Sequence, residues 1–345
     1  MNKKTDNLKH NQWKIITILI ALLSLTILLT TAIGPVYISP TEIIQMIFPA
    51  NLMEILRGRD LLAHERIILL VRLPRICLGI IVGAALSVAG AVMQGLFKNP
   101  MADPYIIGIS SGAGFGAALC ITFGIVFSYA TPLMAFFGAI IAVFLVYDIS
   151  RVVGKVPVNT LLLSGIAVGY FFSACTSFLI IKSENIHQII FWLMGGLGGS
   201  IWNHVKTTFP LIFFGILILY FFSREMNVML LGEESAQHLG IEVEKFKRII
   251  MILASLITAA AVSVSGLIGS VDLMIPHIVR LLFGPDHRIL IPSSALVGGI
   301  FLVWADTLAR TIISPAELPV GVITAFFGAP FFIYLLRTKK RSVFG

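Results

Sequence analysis

Charge is scarce in this sequence. Asp, Glu, Lys and Arg together make up 12% of 345 residues, against 57% hydrophobic residues and a mean hydropathy of +0.96. Soluble domains carry about 25% charged residues, so an ordinary soluble fold is excluded and a polytopic helical membrane protein is expected. Cysteine is equally scarce. Cys77, Cys120 and Cys175 sit inside apolar runs without partner spacing, and read as buried filler rather than disulfides or ligands. The motifs of catalysis are missing too. Gly154-Lys155 is followed by Val156, so no phosphate loop of the G-x-x-x-x-G-K-[ST] type is formed. There is no C-x-x-C and no H-E-x-x-H, and His64, His187, His204, His238, His277 and His287 are scattered. No catalytic constellation, metal site, cofactor or nucleic-acid partner is expected.

What is present is a series of apolar runs, at residues 13–33, 68–96, 105–126, 131–147, 158–181, 209–222, 249–267, 273–283, 291–309 and 320–336. About 20 apolar residues cross the hydrocarbon core as a helix, which predicts an all-α chain of about ten transmembrane helices in a single domain, 1–345. The first run follows Lys3, Lys4, Lys9 and Lys14 but is too long for a signal-peptide core, and reads as a retained span. The eighth is short and holds Pro276, which predicts a helix broken or packed between neighbours. Residues 183–206, with two Trp and paired Gly, read as an interfacial helix and a flexible corner. Lys98-Asn99-Pro100-Met101-Ala102-Asp103-Pro104 reads as a rigid turn. Gly79-x-x-x-Gly83 and Gly108-x-x-x-Gly112-x-x-x-Gly116 predict close helix packing.

An even number of spans leaves both termini on one side. If that side is cytoplasmic, it gathers most of the Lys and Arg, as the positive-inside tendency requires. It then also holds the most charged connection, 223–248, with Arg224, Glu225, Glu233, Glu234, Glu242, Glu244, Lys245, Lys247 and Arg248. Within it LLGEESAQHLG predicts a short amphipathic helix stopped by Gly240, placed either to touch a soluble partner or merely to connect two spans. On the opposite side Arg57, Arg59, Arg66, Arg72 and Arg75 gather at the second span, and Arg310 ends the ninth. Two readings of these arginines stand: snorkelling to headgroups, or docking of an acidic protein, because guanidinium forks suit carboxylates. Ionisable residues within spans are few. Asp272 and His277 flank the eighth span, Asp306 lies late in the ninth and Asp148 closes the fourth. They lie near span ends, which suits caps or local pairs better than the midplane sites of an ion-coupled carrier.

Six ordered blocks resemble one known family over nearly the whole chain. They are Arg72-Leu73-Pro74-Arg75, GAALSVAGAVMQGLFKNPMADPYIIGISSGAG (83–114), FWLMGGLGG (191–199), LGEESAQHLGI (231–241), IPHIVRLLFGPDHR (275–288) and AELPVGVITAFFGAPFFIYLL (316–336). The sequence is similar to the FecCD-type permease subunits of ATP-binding-cassette importers, which serve iron–siderophores, haem, cobalamin and, in some members, molybdate. The resemblance implies a type II importer permease fold, with spans two to five and seven to ten as inverted halves. It implies a non-enzymatic subunit working as a homodimer in the cell (inner) membrane, with N- and C-termini cytoplasmic and lipid around it. By the same resemblance, two cytoplasmic ATPase subunits are expected to hydrolyse the ATP and dock on the coupling loop 223–248, through Gly232, Glu233, Glu234, Ala236, Leu239 and Gly240. An extracytoplasmic binding protein is expected to dock at Arg72, Arg75 and Arg310. The fifth span is expected to line the central cavity, with alternating access moving the substrate. The alternative, from the residues alone, is an ion- or proton-coupled secondary carrier.

One block departs from the family pattern G-x-I-x-F-V-G-L-x-x-P-H. Here Ser270 stands for the aromatic residue and Asp272 for the glycine. That carboxylate is expected to alter helix packing or to put negative charge near the outer vestibule, an effect that local pairing with an arginine would cancel.

Overall fold

The computed structural model describes residues 2–36, 38–47, 61–127, 129–152 and 156–343. Arg57, Arg59 and Lys155 lie outside the described residues. Each predicted span contains a helix, and the chain is all-α as expected. In order these are α1 (Asn2–Ala32), α2 (Pro40–Ile47), α3 (Ala63–Leu96), α4 (Ile109–Thr122), α5 (Ala130–Ile149), α6 (Val158–Lys182), α7 (Ile186–Met194), α8 (Trp202–Phe221), α9 (Ser223–Leu230), α10 (Glu233–His238), α11 (Val243–Ser265), α12 (Val271–Phe283), α13 (His287–Thr311) and α14 (Val320–Val343). Among the described residues seven helices are long and apolar enough to cross a membrane: α3, α5, α6, α8, α11, α13 and the 12–32 part of α1. The third, eighth and tenth predicted spans are shorter apolar helices.

The third span differs from its sequence-based range, 105–126, for a local reason. Pro104 opens a 3-10 turn, Pro104–Ile107, and Gly108 takes a left-handed φ of 85°, so the α-helix begins only at Ile109. A chain that leaves α3 at Leu96 therefore re-enters the bundle as irregular backbone before α4. Such backbone is tolerated at membrane depth only where protein covers it, and Pro104, Ile107 and Gly108 are all buried. The segment 183–206 forms the short helix α7, then a glycine corner in which Gly195 has φ 71°.

In lipid, apolar burial gives helices little reason to associate, and close van der Waals packing takes over. α3 is the centre of that packing and is buried along most of its length. A methyl group on Gly83 would overlap the Gly298 carbonyl of α13, and one on Gly90 would overlap the Asp272 carbonyl of α12. Gly112 and Gly138 bring α4 against α5 in the same way. Backbone touching backbone is what the small-residue spacing predicts. The two halves also begin alike: α3 and α11 are long and each is followed by a short helix, α4 and α12, and then by a long one, α5 and α13.

Gly90→Ala is expected to cost on the order of 1–3 kcal/mol or more, the usual penalty of overpacking, because only backbone stands in the way. Gly196→Ala, which meets nothing within 4 Å, is the control. Melting curves of the two purified variants in detergent check this; equal curves would mean that α3 and α12 are not packed backbone to backbone.

Candidate functional site

The 223–242 connection leaves α8 through Phe222 and folds back beneath the bundle. Met226 and Met229 of α9 are buried under α3 and α13. Between them Asn227 ties two elements together: its amide donates to Asp286 Oδ1 at 2.6 Å, and its Oδ1 accepts the backbone N–H of His287 at 2.9 Å. Partial burial pushes the Asp286 carboxyl up, but the Arg288 N–H, the Asn227 amide and the Arg288 charge outweigh it and leave the group below the ordinary aspartate range. α9 is thus fastened to the start of α13 by a matched polar joint.

On this base stands α10. It is short, and what holds it is its ends. Gly232 precedes it with φ 129°, and Gly240 follows with φ 86°. Gly240 N–H donates to Gln237 O at 2.9 Å and Ile241 N–H donates to Ala236 O at 3.0 Å, the reciprocal pair of a Schellman stop. Ala236 is the one buried residue of the helix. Glu233 is held by Lys247 of α11, which also reaches Glu244 at 3.6 Å. Glu234, Gln237, His238, Leu231 and Leu239 are left outside, the two leucines 71% and 66% exposed. The result is an acidic knob with two bare leucines, seated on a fixed base. Of the six residues expected to couple, Gly232, Ala236 and Gly240 shape the knob, while Glu233, Glu234 and Leu239 present its surface.

At the opposite end the three arginines come together, but not as free cations. Arg72 donates to the carbonyls of Thr31, Ala32 and Val36, and Arg310 donates to Thr30 O at 2.6 Å. Thr30, Thr31 and Ala32 carry the last carbonyls of α1, the negative end of its dipole, where a cation belongs. Arg75 makes a forked pair with Asp306 at 2.8–3.0 Å and reaches both oxygens of Glu317 at 2.9–3.0 Å. All three arginines are less than a tenth exposed. The arginines are therefore not exposed forks: Arg72 and Arg75 are bonded within the chain, and Arg310, though bonded to Thr30 O, keeps a buried Nε without a partner. His64 and Glu42, 3.3 Å apart, lie exposed nearby in sequence.

Asp272 is a second correction. It is fully buried in the first turn of α12 rather than charging an outer vestibule, and no arginine pairs with it among the described residues. The side chain it meets is Asp103. Ser270 precedes it with φ 71° and packs where a side chain at Gly328 would stand.

Compared with known proteins, the chain matches the FecCD transport family across residues 22–338. It belongs to that family. It is 52% identical over 271 residues to the cobalamin import system permease protein BtuC of Halobacterium salinarum, 78% of this chain and 73% of that protein. It is 38% identical over 283 residues to the hemin transport system permease protein HmuU of Yersinia pestis, 79% and 83% of the two chains. To the iron(3+)-citrate import system permease protein YfmE of Bacillus subtilis it is 37% identical over 342 residues, 99% of both. Among solved structures, a metal-chelate type ABC transporter in an inward-facing conformation superposes with a TM-score of 0.82 at 33% identity, covering 94% of this chain and 99% of that one. The FecCD chain is therefore a membrane-embedded ABC importer permease with the type II fold, a transport subunit rather than an enzyme, and a secondary carrier is not favoured.

Sequence reasoning missed the partners that hold the site residues in this FecCD chain. Glu317 lay in the AELPVG block and Asp103 in the NPMADP turn, but nothing local marks either as a partner. Asn227 and Lys247 carried no signal beyond their place in a polar loop. The ion pair of Arg75 with Asp306 and Glu317 can be weighed directly. Removing one member of a buried pair costs about 3–5 kcal/mol, so Arg75→Ala should destabilise the protein by that order. Glu317→Gln, whose side chain is 44% exposed, should cost under about 1 kcal/mol. Denaturant titration in micelles separates them; equal losses would show that Asp306 is not the dominant partner.

Proposed function

We propose that this chain is one half of a homodimeric importer that receives a metal chelate from an extracytoplasmic binding protein and is driven by two cytoplasmic ATP-binding-cassette ATPases gripping the 223–248 segment. The observation that carries this reading is α10, an exposed acidic helix with a glycine at each end, tied by Lys247 to a long transmembrane helix and by α9 to two more. A force applied to such a knob passes into α3, α11 and α13 rather than being lost in a floppy loop. The termini and the 223–248 segment then face the cytoplasm of a cell (inner) membrane, in keeping with the excess of Lys and Arg on that side.

The pathway runs along the face of α6 that the single chain leaves bare. Leu163, Ile166, Tyr170, Phe171 and Phe178 are more than half exposed there, while Leu161, Gly165, Val168 and Phe172 pack inward. A second copy covers part of this face and the rest forms a weakly polar conduit, suited to a bulky chelate held loosely. Cobalamin, hemin and iron(3+)-citrate in the names of relatives support that class of cargo. ATP-driven closure of the partners reorients the two halves by alternating access.

The coupling half of this reading is tested at Gly240. Proline cannot take φ 86° and has no N–H for Gln237 O, so Gly240→Pro removes the stop of α10 without touching the bundle. The expected variant folds and dimerises, yet its ATPase partners lose transport-linked stimulation in liposomes. Full transport by Gly240→Pro would refute coupling through α10.

Docking of the binding protein is proposed at the outer end, where Arg72, Arg75 and Arg310 sit. Because the three side chains are buried and most of their donors are engaged, their part is the longer-range positive field, which speeds encounter and is screened by salt. Glu317→Gln removes the one half-exposed carboxylate from this cluster and is expected to raise the association rate of an acidic binding protein at low salt, with the gain vanishing at high salt. A rate indifferent to salt in both proteins would rule the field out.

A further inference from the structure

The eighth span begins with a carboxyl group that has nowhere to go. Asp272 is wholly buried; its Oδ1 accepts the N–H of Leu273 at 3.0 Å, and its Oδ2 meets no N–H or O–H donor. The group within hydrogen-bonding reach is another carboxyl, that of Asp103, whose Oδ1 accepts the N–H of Tyr105 at 2.6 Å. The Asp272 backbone lies against Gly90 of α3, inside the packed crossing of α3 and α12.

The surroundings offer no neutralising charge. Tyr105, from the 3-10 turn, faces both carboxyls and spends its hydroxyl proton on Ile268 O at 3.0 Å. Gln94 of α3 donates to Leu273 O at 3.1 Å, and Arg280 of α12 is turned onto Gln94 Oε1 at 2.9 Å instead of onto Asp272. His277, one turn and a half along α12, packs edge-on against Phe331 of α14. No cation acts on either carboxyl among the described residues.

We infer that Asp103 and Asp272 share a single proton, forming a buried acid–carboxylate hydrogen bond that latches the re-entrant turn after α3 to the first turn of α12. Two carboxylates at hydrogen-bonding distance cannot both ionise in a dry site, and with one proton between them Asp272 Oδ2 acquires the partner it lacks. The pair titrates as a unit. It moves no cargo and consumes no ion gradient. It works alongside Tyr105–Ile268, which ties the same turn to the residues just before α12, and Gln94–Leu273, which ties α3 to the first turn of α12. The latch does not depend on the cargo or partners proposed above.

The sign of its pH dependence follows from proton counting. The unfolded chain ionises both groups above the ordinary aspartate range, about pH 3.9, whereas the folded chain keeps one proton. Stability supplied by the latch is therefore complete at acid pH and declines as pH rises through the range in which the pair lets its proton go.

The test is infrared spectroscopy of the purified full-length protein in detergent at pH 8, reading the C=O stretch of protonated carboxylic acid. The wild type should show such a band, and Asp272→Asn and Asp103→Asn should each lose it. Melting temperatures from pH 6 to pH 9 give a second readout. The wild type should lose several degrees more than Asp272→Asn, whose amide is nearly isosteric and donates to Asp103 at every pH. If one variant does not fold, the other and the wild-type band still decide. No wild-type band at pH 8, or a band unchanged by the substitutions, overturns the proposal.

Discussion

Nothing polar inside this bundle can rely on water. That constraint shapes both ends of the molecule. A charged group left alone in hydrocarbon costs several kcal/mol, so the arginines below the surface are met largely by the chain itself. Arg75 is forked onto Asp306 and Glu317; Arg72 and Arg310 close the carbonyl end of α1. These contacts hold α1, α3, α13 and the segment before α14 in one corner. An end built this way is rigid, and a partner arriving there meets a fixed shape and a field rather than mobile side chains.

The second constraint is geometric. Without a hydrophobic drive between helices, contact area must come from close approach, and α3 achieves it by presenting glycine to α12 and α13. The cost is intolerance. Where backbone touches backbone, no side chain can yield, and motion is confined to whole helices moving together. This suits a permease subunit. Among the described residues, α10 with its paired glycine ends is an exposed element seated on that body of packed helices. Lys247 and Asn227 matter because they make that element part of the body instead of a tether.

Substitution of Asp272 for glycine in such a body shows how a local change is absorbed. The carboxyl lies beside Asp103, and its backbone carbonyl still lies against Gly90. The side chain meets Asp103 in the turn that returns toward α4, and the contact of the Asp272 backbone with Gly90 is kept. The electrostatic problem is moved from the crossing to the pair, where a proton resolves it.

Much of the architecture was legible in the residues. The run lengths set the helices, because the bilayer imposes one length scale on every span; Gly240 announced the stop of α10, because a left-handed residue after a short polar helix has few other uses. The six ordered blocks carried the family. Three things were not legible. The shortening of the third span depended on Pro104 and Gly108 breaking a run that hydropathy counts as continuous. The burial of Arg72, Arg75 and Arg310 depended on α1 and on Glu317, which lies 242 residues from Arg75. The pairing of Asp103 with Asp272 depended on a turn folding back into the membrane. Hydropathy and spacing are local quantities, and they determine which segments enter the bilayer and how they end. Which charge meets which is set by the packing of distant segments, and in a medium without water that packing alone decides whether an arginine is a docking fork or a helix cap.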